Sequence, residues 1–438
     1  MNTRPLALLP LLLFLAMFIG SGLYYQSQNV DFAFYQISAP VAILPAIVLA
    51  MLLAKGALNE RIDTFISGVG DNTIITMVLI YLLAGAFASV SKAIGGVDAT
   101  VALGLNLVPS GMVLPGLFVI TALIATSMGT SMGTVAAIAP IAVGLTEATE
   151  LPILLTIGTV VGGAMFGDNL SIISDTTIAA TRTQGCEMRD KFRMNLMIAA
   201  PAALLTLIWL YIQGESGVVE STGPIEFIKV LPYLTVLVLA VSGLNVMLVL
   251  LGGIVLAGLV GLTQLADYNV AQFAKDIYAG YSNMQEILIL SMLIGGLGAM
   301  MKKQGGLDFL ANLISRIAHR SSNQSPSPRA GELSISTAVA LINAATANNT
   351  VAIVISGALA KDIASRYGVD PRRSASLMDI FSCVVQGLLP YGAQILLASS
   401  IASVSPLALA GSIHYCLLLG AVAIASILVG WPGAKRTQ

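Results

Sequence analysis

Charge is scarce in this chain. Asp, Glu, Lys and Arg together make up 10 % of its 438 residues, where a soluble domain carries about a quarter, so a water-facing surface of ordinary charge density is excluded. Only two histidines are present, His319 and His414, far apart in the sequence. The three cysteines, Cys186, Cys383 and Cys416, match neither a metal-ligand spacing nor a disulfide framework and read as packing residues. No phosphate-binding loop, nucleophile–base–acid constellation or dense acidic cage occurs. An enzyme, a resident cofactor and a nucleic-acid partner are therefore not expected.

What the chain has in quantity is apolar sequence: 56 % hydrophobic residues and 42 glycines, with a mean hydropathy of +0.88. Apolar runs lie at 5–25, 39–54, 72–91, 152–166, 195–213, 227–241, 244–263, 287–301, 380–399 and 403–430. Several are long enough to cross a bilayer as helix. The fold class expected is an all-α polytopic membrane protein.

An internal match organises it. "SKAIGGVDA" at 91–99 answers "MKKQGGLDF" at 301–309, and "TSMGTVAAIA" at 130–139 answers "TANNTVAIVI" at 346–355. This predicts two structural repeats, 1–213 and 227–438, joined by an extracytoplasmic linker at 214–226. Segments 117–147 and 333–361 carry polar, small-residue tips where a spanning helix should be most apolar, and are read as re-entrant hairpins. Discontinuous helices are placed at 152–181 and 377–400. Each repeat then holds five transmembrane helices, an odd number that inverts the second repeat in the membrane. The opening run has the look of a signal peptide, with Arg4 before its apolar core, but the repeat requires it as a span.

Basic residues supply an independent criterion. In the ten-span reading, eighteen of the 21 Lys and Arg fall on one side, leaving Lys92, Lys229 and Lys275 on the other. By the positive-inside rule both termini and the loops at 182–194 and 361–376 face the cytoplasm, in a cell inner (plasma) membrane. The stretches 97–114 and 306–320 are amphipathic and suit the interface plane; 321–332 reads as a Ser/Pro-rich linker.

Against this apolar background "FGDNLSIISDTT" at 166–177 stands out. It places Asp168, Asn169, Ser171, Ser174, Asp175, Thr176 and Thr177 near the middle of an apolar stretch, beside Gly162, Gly163 and Gly167. Glycine there favours unwinding, and freed carbonyls at membrane depth are tolerated where they line a cavity. Asp, Asn, Ser and Thr oxygens without His or thiolate suit a hard monovalent cation such as Na+. A carboxylate held out of water also exchanges a proton near neutral pH. Asp175, flanked by the denser set of hydroxyls, is expected as the principal Na+ ligand, with Asp168 as its assistant or the proton carrier. The hairpin tips add Thr130, Ser131 and Thr134 in the first repeat and Thr346, Asn348, Asn349 and Thr350 in the second, as small-residue surfaces that admit a substrate. The second discontinuous helix contributes Gly392 and Gln394 but no acid in its break. Asp379 sits near a span end, which favours the interface, although it lies within about a turn of the cavity mouth.

The "GDNLSIISDTT" and "TSMGTSMGT" segments resemble the NhaC-type sodium/proton antiporter family, whose members carry a Gly-Asp-x-x-Ser-x-x-Ser-Asp-Thr-Thr signature. The hairpin-plus-broken-helix pattern is similar to the wider ion transporter superfamily. The resemblance covers most of 70–215 and, more loosely, the second half. It implies that Gly167, Asp168, Ser171, Ser174, Asp175, Thr176 and Thr177 hold the ion. Two readings stay open: Na+/H+ antiport by alternating access, or Na+- or H+-coupled transport of a small organic solute such as an amino acid or carboxylate. The partners implied are the bilayer, Na+, H+ and, in the second reading, that solute; a homodimer is left open.

Overall fold

A computed structural model describes residues 4–28, 30, 36–107, 109–171, 174–214, 226–242, 244–309, 312–313 and 327–432. Most of the linker at 214–226, the basic end of 306–320 and the start of the 321–332 segment lie outside the described residues. Those described form helices and connecting turns, without strands.

The first half runs through α1 (Leu9–Ser27), α2 (Ala39–Ala42), α3 (Leu44–Leu53), α4 (Leu58–Val69), α5 (Asn72–Ala93), α6 (Gly96–Leu107), α7 (Val113–Met128), α8 (Ser131–Ala148), α9 (Ile153–Leu170), α10 (Asp175–Gln184) and α11 (Met188–Gly214). The second contains α12 (Phe227–Val241), α13 (Val246–Gln264), α14 (Val270–Asn283), α15 (Gln285–Lys303), α16 (Pro328–Thr346), α17 (Asn349–Tyr367), α18 (Pro371–Leu388), α19 (Ala393–Ala402), α20 (Pro406–Ala410) and α21 (His414–Val429). Among the described residues, eight helical segments are long and apolar enough to cross a bilayer. The chain is a multi-pass membrane protein, and its large exposed side chains, such as Leu204, Leu248 and Leu259, are those a lipid environment accepts.

Local chemistry sets the turns that matter. Gly129 adopts φ 68° and ends α7; Thr130 then caps α8, its side chain accepting from the Gly133 amide. Ala347 adopts φ 50° and ends α16, and Asn348 caps α17 by accepting from the Val351 amide. α9 stops at Leu170, Ser171 is extended, and Ser174 caps α10 by accepting from the Thr177 amide. α18 stops at Leu388, and α19 restarts at Ala393 after an extended Gly392.

These elements recur with a constant spacing. Ile153–Leu170 and Pro371–Leu388 have the same length, as do Asp175–Gln184 and Ala393–Ala402, and each second member begins 218 positions after the first. The left-handed residues Gly129 and Ala347, and Gly185 and Ser403, keep that spacing. Thr130 therefore corresponds to Asn348 and Ser131 to Asn349, a two-residue shift from the Thr-x-x-x-Thr match in the sequence. The second broken helix begins at Pro371, six residues before the sequence suggested: Asp370 caps it and Pro371 occupies its first turn, an arrangement easily mistaken for a polar loop.

Several contacts tie the halves together, two of them with the same geometry. α4 packs on α15 and α14 on α5. Gly68 lies against the Gly295 backbone and Gly280 against the Gly85 backbone, so closely that a Cβ on either would collide with a carbonyl oxygen. The same glycine–glycine crossing thus occurs twice, with the halves exchanged. The amphipathic helices α4 and α14 were not foreseen; each buries only one residue, Gly68 or Gly280, too little to stand out among its polar neighbours.

Candidate functional site

Gly162, Gly163 and Gly167 do not unwind the first broken helix. All three lie within α9 and let it press on its neighbours. A Cβ at Gly163 would sit 2.8 Å from the Phe118 carbonyl oxygen, and one at Gly167 would sit 2.6 Å from the Thr126 amide and 2.8 Å from the Ala122 carbonyl oxygen, both on α7. α9 ends at Leu170 and α10 begins at Asp175, where the Ser174 side chain accepts from a backbone amide in place of helical hydrogen bonding.

Asp168, one turn before that break, is buried. Its Oδ2 accepts from Ser131 Oγ at 3.0 Å and from Asn349 Nδ2 at 3.4 Å. Those donors are the first residues of α8 and α17, so one carboxylate joins both tips. The Ser131 hydroxyl also accepts from Gln394 Nε2 at 3.0 Å. Gln386 Nε2 in turn donates to Gln394 Oε1 at 2.9 Å and to the Ala347 carbonyl at 3.2 Å. A continuous polar chain therefore runs from Asn349 through Asp168, Ser131, Gln394 and Gln386 back to the second tip. Gln386 is the positional counterpart of Asp168 in the other half, an amide where the first half has an acid.

Asp175 is arranged differently. It is exposed at the start of α10 and makes no hydrogen bond or ion pair among the described residues. The hydroxyls expected around it bond to one another instead: Ser174 Oγ lies 3.0 Å from both Thr176 Oγ1 and Thr177 Oγ1, and Thr177 Oγ1 donates to the Ser171 carbonyl at 2.7 Å. Thr176 and Thr177 are buried. The denser set of partners thus belongs to Asp168, because the helical restart turns the Asp175 side chain outward while its neighbours turn in.

A second buried cluster lies on the other side of the break. Lys191, on α11, and Asp379, on α18, have fully buried side chains and form an ion pair at 2.8 Å. Lys191 Nζ also donates to the Asn169 carbonyl at 2.9 Å and to Thr177 Oγ1 at 2.6 Å. Asn195 Nδ2 donates to the Asn169 carbonyl at 2.8 Å and to Asp379 Oδ2 at 2.7 Å. Asp379 is therefore buried and ion-paired within the protein, and Lys191 is not an exposed loop charge: α11 starts at Met188 and carries it inward. The sequence signal available was the i, i+4 spacing of Lys191 and Asn195, which puts them on one helix face.

The remaining predicted tip residues make local hydrogen bonds. Thr134 is buried and its hydroxyl donates to the Thr130 carbonyl at 3.0 Å. Thr346 Oγ1 donates to the Ile342 carbonyl at 2.9 Å and to the Asn348 carbonyl at 3.2 Å. Thr350 is half-buried and its amide is bound by Asn349 Oδ1. What brings the tips together is Ser131 and Asn349, and not the two threonines. Gly392 supplies the extended residue before α19.

Two interrupted helices, two capped tips and a buried acid between them fit a secondary transporter, the class to which the sequence comparisons point. The sequence model of the Na+/H+ antiporter family matches residues 5–215 and again 216–431, and the chain belongs to that family. It is 26 % identical over 359 residues to the Na(+)/H(+) antiporter NhaC of Bacillus subtilis (strain 168), covering 74 % of this chain and 76 % of the relative. The Malate-2H(+)/Na(+)-lactate antiporter of the same organism is 24 % identical over 351 residues, 72 % of each chain. The Arginine/ornithine antiporter ArcD of Halobacterium salinarum is 21 % identical over 387 residues, 81 % of this chain and 79 % of the relative.

Proposed function

We propose that the protein exchanges Na+ for H+ by alternating access, with Asp168 as the principal shared site. The observation that carries this reading is the single buried carboxylate bonded to the first residue of both tip helices. A buried carboxylate without a neutralising partner costs several kcal/mol, so Asp168 is stable with a proton or with a cation and unstable with neither. That is the requirement of obligatory exchange. Ser131 and Asn349 supply further oxygens of the Na+ shell.

The two halves act as inverted repeats that rock about this site in the plasma membrane, both termini cytoplasmic. The 218-residue recurrence of elements, the separate family matches to each half and the reciprocal glycine crossings support that relation.

One observation favours a second reading, exchange of a small organic anion or amino acid. The N-termini of α8 and α17 meet at the site, and helix N-termini attract anionic groups; two of the relatives bear names of organic-solute antiporters. Proteoliposomes holding a pH-sensitive dye distinguish the two. A Na+ gradient alone moves protons under antiport, whereas under the second reading proton or Na+ movement requires malate, lactate, arginine or ornithine.

A further inference from the structure

The Asp168 site does not account for the second buried cluster. Around Lys191 Nζ stand three oxygens of three chemical kinds: the Asp379 carboxylate at 2.8 Å, the Asn169 carbonyl at 2.9 Å and the Thr177 hydroxyl at 2.6 Å. Two of them come from the edges of the broken helix and one from α18. Two further oxygens at this cluster, Asp379 Oδ1 and Asn195 Oδ1, are buried and have no hydrogen-bond partner among the described residues. A carboxylate, a backbone carbonyl, a hydroxyl and an amide oxygen are the ligand types of a hard monovalent cation. A side-chain ammonium already fills the centre of that set.

We infer that Lys191 is a resident cation: it occupies a second monovalent-cation site formed by Asp379, the Asn169 carbonyl and the Thr177 hydroxyl, and so limits each chain to one exchanged Na+. This rests on the Na+/H+ reading for the identity of the ion and goes beyond it in assigning the second site. Lys191 is tethered to α11, so its charge stays while the Asp168 site loads and empties. It also clamps α10 to α18 across the break, and losing it frees one negative charge and its oxygen cage together. Na+ is smaller than an ammonium with its stem, so replacement of Lys191 by an uncharged side chain leaves a charged cage that a free ion enters.

The test is the number of Na+ bound per chain, read with 22Na+ on the purified full-length protein, for wild type, Lys191→Met and the double variant Lys191→Met/Asp379→Asn. Wild type binds one ion, the single variant gains a second, and the double variant, which has no charge left to neutralise, returns to one. Thermal unfolding in NaCl and in choline chloride at equal concentration covers the case in which Lys191→Met folds poorly: the inference predicts rescue of that variant by Na+ and not by choline, and no such selectivity in the double variant. A single variant that binds no more Na+ than wild type overturns the inference, as does one that melts alike in both salts. Wild type that binds no Na+ overturns the antiport reading instead, and a Na+ gained on Lys191→Met still upholds the resident-cation assignment.

Discussion

Asp168 has two side-chain donors from opposite tips, whereas Asp175 has none among the described residues, and this asymmetry ranks the two acids. Asp168→Asn keeps the size and hydrogen bonds of the side chain but removes the charge that a cation and a proton share. It is expected to lower Na+-driven proton transport at least 100-fold, as an effect on the order of 3 kcal/mol would, while leaving expression and melting temperature near wild type. Asp175→Asn, at an exposed position outside that hydrogen-bonded set, is expected to weaken apparent Na+ affinity by less than about tenfold. Parallel transport titrations on the two variants check the ranking. The opposite ranking was the one legible in the sequence, where hydroxyl density around Asp175 is visible but the outward turn of a helix start is not. For the buried ion pair, Asp379→Asn leaves the Lys191 ammonium uncompensated and should cost about 3–5 kcal/mol, seen as a lower melting temperature in detergent. That pair was hidden for a comparable reason: Lys191 and Asp379 are 188 positions apart, and only the early start of α11 takes the lysine inward.

At the level of elements, close approach and capping make separate predictions. A methyl group at Gly167 has no space against the α7 backbone; overpacking of this kind costs about 1–3 kcal/mol and displaces Asp168 one residue away. Gly167→Ala should therefore lose both thermal stability and transport. Ala347 holds a left-handed conformation at the second tip that glycine adopts without steric cost. Ala347→Gly should raise stability by about 1 kcal/mol, read from chemical or thermal unfolding. Asp370, just ahead of the α18 span, caps that helix and bonds the Arg372 guanidinium at 3.0 and 2.9 Å, which holds its carboxyl below the usual range. A carboxyl that ionises more readily when folded contributes stability above the ordinary carboxylate range and loses it as pH falls through the folded value. The melting temperatures of wild type and Asp370→Asn should thus differ near neutrality and converge below about pH 4. The apolar runs were readable as helices because composition at membrane depth leaves few alternatives, while the start of α18 was not, since a cap followed by proline and two arginines has the composition of a loop.

For the whole molecule, the sequence carried the fold class, and the structure adds how its helices meet. A repeat in sequence pairs Thr130 with Thr346, but caps and left-handed turns pair Thr130 with Asn348. Backbone geometry fixes a tip more strongly than residue identity does, and that cannot be seen by aligning letters. The proposed topology puts the first turn of α11, which carries the exposed Arg189, in the cytoplasm. Arg189→Cys should accordingly react with a membrane-impermeant maleimide in inverted vesicles and not in intact cells; labelling in intact cells would invert the orientation.

The central claim is that one carboxylate, Asp168, holds either a proton or Na+, and its most direct test needs no membrane gradient. Detergent-solubilised protein in weakly buffered solution is titrated with NaCl while pH is recorded, with choline chloride as the control. The account predicts that Na+ acidifies the wild-type solution, that choline does not, and that Asp168→Asn releases no protons with either salt. Proton release from Asp168→Asn equal to that of wild type, or none from the wild type itself, would contradict it.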